Sequence, residues 1–278
     1  MLLNYGWKLG LMLNKVSICV ISAAGKGSRW APVSGYLPKE MLPLVDRPVI
    51  EWVVDEIVSS GLKEIVVVIN KQKQLIKKYL TNNERLRSKK INFYFVNQDE
   101  PLGITHAIYL TKKIIGKNDF TVALPDLPTI SKKPVLGQLL KSYTQAEHII
   151  SFSNFSPDTL HFYSECLVEK QNDKLLRVIH FCPKSKDGLP HHKDIKIRMS
   201  GRYVFGNNIF SIIDKIASNK IDKEVNEVQA LKLAIENGQK VVGVDISGHT
   251  YDTGTPAGYV RANTAFFKKY LAKKIDVI

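Results

Sequence analysis

Through the first half of the chain, short apolar runs alternate with segments whose apolar residues recur every three or four positions. Val16 to Ser22 is a β-branched apolar run, the pattern of a strand buried on both faces. Asp46 and Pro48 then open a helical stretch with the apolar stripe Ile50, Val53, Val54 and Ile57. Gly61 closes it where a left-handed residue ends helices. Glu64 to Asn70 reads as a second buried strand, a Lys-rich helix follows to Leu80, and Ile91 to Val96 gives a third strand. Gly103 to Ile115 is helical in pattern and Phe120 to Leu124 is a fourth strand.

The repeated strand–helix unit predicts an α/β fold: a Rossmann-like, mostly parallel, twisted sheet with helices on both faces. The second half is less regular, with strands expected at Tyr163 to Glu169, Leu175 to Phe181 and Arg198 to Phe205. Helices are expected at Asn208 to Ala217, Lys223 to Glu236 and Pro256 to Lys269. This half predicts a smaller mixed-sheet part, so the expected organisation is an N-terminal extension (1–15), one domain (16–265) and a C-terminal tail (266–278).

Composition narrows the class. A chain of 278 residues, 44% hydrophobic and 24% charged, lies in the globular range. No apolar run reaches the roughly 18 residues of a membrane span, and no membrane partner is expected. Cys19, Cys166 and Cys182 have no metal-ligand spacing and fit reduced thiols in a cytoplasmic protein. The net charge of +14 points either to phosphorylated substrates or to a solvated Lys-rich surface. No recognisable nucleic-acid motif accompanies that charge, and no nucleic-acid partner is expected.

In parallel sheets, ligands bind outside the carboxyl ends of the strands. The first strand runs into Ala23-Ala24-Gly25-Lys26-Gly27-Ser28-Arg29-Trp30, where small residues let backbone N–H groups approach a phosphate. A bland glycine turn is the competing reading. A dinucleotide fingerprint fails, because Trp30 stands where its third glycine belongs and Asn70 where its acidic residue belongs. Lys39 follows ten residues after Arg29, so two cations lie on one loop and could clamp a triphosphate. Asp126 leaves the fourth strand and would otherwise read as a cap.

These segments resemble the signature of bacterial UTP–glucose-1-phosphate uridylyltransferases. The likeness runs through Ala23 to Arg29, Pro38 to Pro48, Gln98 to Gly103, Leu124-Pro125-Asp126, Gly201-Arg202-Tyr203 and Tyr251-Asp252-Thr253-Gly254. The resemblance implies a Mg²⁺-dependent transfer of a nucleotidyl group from UTP, or another nucleoside triphosphate, to a sugar 1-phosphate. It implies Mg²⁺ held by Asp126 and Asp252, and Arg29 and Lys39 neutralising the triphosphate. It places Ala23, Ala24, Gly25, Gly27, Gln98, Gly103 and Asp126 around the nucleotide, and it implies a homodimer or homotetramer.

On the sugar side it assigns Tyr163, Gly201 and Glu224. There the pattern also departs: a family Val-Glu-Lys-Pro segment reads His180-Phe181-Cys182-Pro183, leaving Lys184 as the nearest substitute. A family Thr-Lys pair reads Ser34-Gly35, and a Tyr-Gly pair reads Tyr163-Ser164. Three functions stay open on these residues: the uridylyltransferase itself, the same chemistry with another sugar or nucleotide, and a nucleotide-binding regulator with little turnover. His106 is expected to be a packed or capping histidine.

Overall fold

The computed structural model describes residues 16–143, 146–154, 165–181, 196–218 and 224–271. β1 (Val16–Ser22) runs into a long loop with single 3-10 turns at Ser28–Trp30, Val33–Gly35 and Lys39–Met41. A two-stranded antiparallel ribbon, β2 (Pro43–Leu44) and β3 (Arg47–Pro48), then feeds α1 (Val49–Ser59). β4 (Glu64–Ile69), α2 (Gln74–Asn82), α3 (Glu84–Ser88), β5 (Asn92–Asn97), α4 (Gly103–Leu110), α5 (Lys112–Ile115) and β6 (Asp119–Ala123) complete the first half.

The four long strands of this half pair in the order β5-β4-β1-β6, all parallel. β1 faces both ways. Cys19 and Ile21 pack with Ile65, Val67 and the α1 stripe Ile50, Val53, Val54 and Ile57. Val20 packs on the opposite face with Val66, Val68, Val122 and Ala107 of α4. A strand with apolar side chains on both faces is stable only between two helical layers, which is what the unalternated run predicts.

The second half contains β7 (Thr129–Ile130), α6 (Val135–Ser142), β8 (His148–Asn154), β9 (Glu165–Lys170), β10 (Leu175–Phe181) and β11 (Lys196–Phe205). α7 (Ile209–Ser218), α8 (Glu227–Glu236), β12 (Val241–Thr250) and α9 (Pro256–Tyr270) follow. β11 joins β6 antiparallel and extends the sheet as β6-β11-β8-β12-β10-β9. The beginning of β11 also pairs with β9, so β11, β8, β12, β10 and β9 form a closed circuit of pairings. The fold is thus α/β, with a parallel Rossmann-like half and a mixed half.

Several elements depart from the sequence expectation. The helix expected from Lys223 begins at Glu227, where Asn226 and Gln229 form a reciprocal capping box. Val225 is held outside it by backbone bonds to Leu102 (3.0 Å) and Thr105 (3.2 Å). The helix expected over Gly103 to Ile115 is two helices meeting at Thr111, whose hydroxyl donates back to the Ile108 carbonyl at 2.6 Å. β8 and β12 had no counterpart in the expectation. The β12 run is interrupted by Gly243, where a Cβ would lie 1.8 Å from the Phe152 ring of β8, so packing requires the glycine. α9, by contrast, runs as expected from Pro256, to Tyr270, with Phe266 buried against Trp52.

Candidate active site

Strand order reverses at β1: β4 and β5 lie to one side and β6 to the other. In open α/β sheets ligands bind at such a switch point, here outside the carboxyl ends of β1 and β6. The loop leaving β1 begins with Ala23, whose N–H donates to the Val68 carbonyl at 2.8 Å, and Ala23 and Ala24 are buried. Gly25 faces open space, and Gly27 takes a left-handed φ of +69°, which a side chain would resist. The turn Ser28–Trp30 then presents Arg29, while the Trp30 indole N–H donates to the Thr253 carbonyl at 2.9 Å. The Trp30 ring also meets Tyr259 of α9 edge-on, at 5.3 Å between centroids.

Lys39 and Asp126 are brought together from the loops after β1 and β6. The Lys39 ammonium donates to Asp126 Oδ2, and both side chains are almost buried. Burial by itself would depress Lys39, but the Asp126 and Glu40 carboxylates outweigh it and hold the ammonium above the ordinary lysine value. Burial would likewise raise Asp126, and the Lys39 and Arg29 charges hold its carboxyl below the usual range.

Asp252 arrives from the far end of β12. The segment after that strand is sewn to the Asp126 loop: Tyr251 N–H donates to the Pro128 carbonyl (3.0 Å), and both Thr253 N–H and Oγ1 donate to the Asp126 carbonyl (2.9 Å each). Asp252 Oδ1 accepts from the Gly254 N–H at 2.7 Å, and Oδ2 lies 3.5 Å from Arg29 Nη1. Gly254 is the centre of the group. A Cβ there would stand 2.8 Å from Asp252 Oδ1, 2.9 Å from Asp126 Oδ2 and 2.8 Å from an Arg29 nitrogen. Two carboxylates and two cations thus converge where four separate segments meet.

Gln98, after β5, is buried, and its amide donates to the Gly103 carbonyl and meets His106 Nδ1, each at 3.0 Å. His106 is thus a packed partner of Gln98, and burial lowers its pKa. Gly103 has φ +88°, and a Cβ would lie 2.3 Å from the Val225 carbonyl. Glu224, next to Val225, is exposed. Gly201 sits under the Asp126 loop, with φ +73° and a Cβ position 2.5 Å from Leu127. Tyr163, Cys182 and Lys184 lie outside the described residues.

Sequence reasoning missed the groups that hold these side chains. Arg202 is fully buried; it pairs with Glu56 at 2.6 Å and donates to the carbonyls of Leu124 (3.2 Å) and Leu127 (3.0 Å), bracketing Asp126. Lys73 donates to both oxygens of Glu40 at 2.9 Å each, in a buried pair behind Lys39. Asn70 Nδ2 donates to the Ala24 carbonyl at 2.8 Å. Arg202 and Glu40 sit inside the recognised motifs, which was the available signal; Asn70 and Lys73 carried none.

The chain is similar to known proteins over most of its length. A UTP–glucose-1-phosphate uridylyltransferase of Staphylococcus saprophyticus is 28% identical, over 94% of this chain and 96% of that protein. One from Mycoplasma pneumoniae is also 28% identical, over 95% of each chain. A crystal structure of UDP-glucose pyrophosphorylase complexed with UDP-glucose superposes with a TM-score of 0.79 at 26% identity, covering 91% of this chain and 99% of the other. The family profile described as nucleotidyl transferase matches residues 18–269, and the chain belongs to that family.

Proposed function

We propose that this protein transfers a uridylyl group from UTP to glucose 1-phosphate, giving UDP-glucose and pyrophosphate. The observation that carries the reading is the convergence of Asp126, Asp252 and Arg29 around Gly254, with Lys39 paired to Asp126. The names of the relatives support UTP and glucose 1-phosphate as the substrates.

The donor set fits Mg²⁺. Among the described residues no three His, Cys, Asp or Glu side chains form a metal-binding group. Two carboxylates suit an ion that takes the rest of its shell from phosphate oxygens and water. Asp126 and Asp252 would hold it, and when bound it offsets charge on the phosphates. Arg29 and Lys39 neutralise the triphosphate and the departing pyrophosphate. Ala23, Ala24, Gly25 and Gly27 form the floor beneath the nucleotide, and Gln98 and Gly103 flank its base.

In the reaction an oxygen of the sugar phosphate bonds to the α-phosphorus in line. The bond from that phosphorus to the bridging oxygen breaks, and its electron pair leaves with pyrophosphate. No side chain is needed as general base, because a phosphate monoester with a second pKa of about 6 is already mostly dianionic at neutral pH. The protein's contribution is positioning and charge stabilisation.

One observation favours a second reading, in which the chemistry is the same but the acceptor is another sugar phosphate. Phe181, in the place of the family glutamate, is buried at the end of β10 opposite Cys166. Pyrophosphate release with Mg²⁺, measured for five nucleoside triphosphates against a panel of sugar 1-phosphates, tests both. Release with UTP and glucose 1-phosphate supports the first reading, and release with another sugar supports the second. Tight UTP binding with no release for any acceptor would sink both in favour of a nucleotide-binding regulator.

A further inference from the structure

We infer that the turn after β4, Asn70 to Lys73, with Glu40 as its counterpart, is a positioning device that fixes the distance between the glycine loop and Lys39. The inference rests on the proposed nucleotide site, in which both segments address one triphosphate.

The two segments leave β1 on the same excursion, but little regular structure joins them: only single 3-10 turns lie between Gly27 and Lys39. The Lys39 side chain runs past Gly27, and a neighbour from another strand adds a polar link. The Lys73 N–H donates to the Asn70 carbonyl at 3.0 Å and closes the turn. Asn70 Oδ1 accepts from Gln72 N–H at 2.9 Å, which orients the amide so that Nδ2 donates to Ala24 O at 2.8 Å. At the other end of the turn, Lys73 Nζ grips both oxygens of Glu40 at 2.9 Å. Within the turn Lys39–Met41, Glu40 faces Lys73 while its neighbour Lys39 faces Asp126. One rigid turn therefore holds the glycine loop by one residue and the Lys39 turn by another.

The Lys73 and Glu40 side chains are only 7% and 1% exposed. A buried ion pair gives no more stability than a well-packed apolar pair would, because desolvation consumes the attraction. What it adds is direction, since a forked contact fixes where the Glu40 carboxylate, and with it the Lys39 backbone, can sit. Neither Asn70 nor the Lys73–Glu40 pair is among the groups proposed to touch substrate, so these are positioning residues.

The test uses two variants of the full chain, Asn70→Ala and the double variant Glu40→Gln/Lys73→Met, which removes both charges and leaves neither unpaired. Amide hydrogen exchange of the ligand-free protein is read over 23–28 and 38–42, and UTP binding with Mg²⁺ is read by calorimetry. Each variant is expected to exchange faster in both segments together. Each should bind UTP about tenfold more weakly and leave the KM for sugar phosphate at saturating UTP unchanged. Exchange and UTP affinity like the parent's in Asn70→Ala would overturn the inference, even if the double variant failed to fold. A parent that binds no UTP would refute the proposed function instead, and the exchange experiment would still decide the role of the turn.

Discussion

Gly254 has no side chain to contribute, yet its lack of one shapes the site. A methyl group there would press on Asp126, Asp252 and Arg29 at once. All three contacts are the ends of side chains that can move, so Gly254→Ala is expected to fold normally. It should lose turnover by about 10²-fold, because the carboxylates and Arg29 are spread from a shared position. Circular dichroism melting and pyrophosphate release check the two halves of this claim; a Tm loss matching the activity loss would contradict it. Asp126→Asn keeps the shape and removes the charge, and turnover should fall by about 10³-fold while the fold persists. Arg29, Lys39, Asp126 and Asp252 were legible because each lies in a motif with a fixed neighbour. Asn70, Lys73 and Glu56 were not, because their meaning lies in a partner at least thirty residues away in sequence, visible only once the sheet is formed.

At the level of elements, the parallel half could be read directly from the chain because its strands are apolar on both faces and its helices carry clear stripes. The mixed half could not. β8 carries His148, Ser151 and Ser153, all buried, so its polarity hides a core strand. Ser151 Oγ accepts from the Arg202 N–H at 3.1 Å and donates to the Arg202 carbonyl at 2.9 Å, bonds no periodicity reveals. The start of α8 was misplaced because Val225, apolar and in phase with the helix, is instead bonded to the entrance of α4. That junction makes a prediction. Gly103→Ala combines a φ of +88° with a Cβ 2.3 Å from the Val225 carbonyl. Strain and clash together should cost about 1–3 kcal/mol, read as a lower midpoint in urea. Because Gln98 bonds to the Gly103 carbonyl, UTP affinity should fall as well; a variant as stable as the parent would show that the two segments are not rigidly joined.

The whole molecule joins a parallel half that carries Asp126 to a mixed half that carries Asp252, and their common seam is β11. One histidine lies deep in that mixed half. His148 of β8 is fully buried, Nε2 bonds to Gln239 Oε1 at 2.7 Å, and the ring meets Phe205 edge-on at 5.7 Å. Since Gln239 Oε1 accepts, Nε2 carries the proton, and Nδ1 has no hydrogen-bond partner among the described residues. Protonation would place a charge in this buried setting, so burial lowers the His148 pKa below 6.5. His106 and His249 shift in the same direction, also through burial. The unfolded chain therefore binds more protons than the folded one just below the ordinary histidine pKa. Stability is full above pH of about 6.5 and is lost as pH falls toward the lowered native values. A chain of net charge +14 also gains self-repulsion on acidification, which alone would give a decline. Comparing Tm profiles from pH 8 to 5 for the parent and His148→Phe separates the two causes, since general repulsion is common to both. The variant's profile should be the flatter one. Parallel profiles would assign the acid sensitivity to net charge and the remaining histidines, and leave His148 as a packing residue alone.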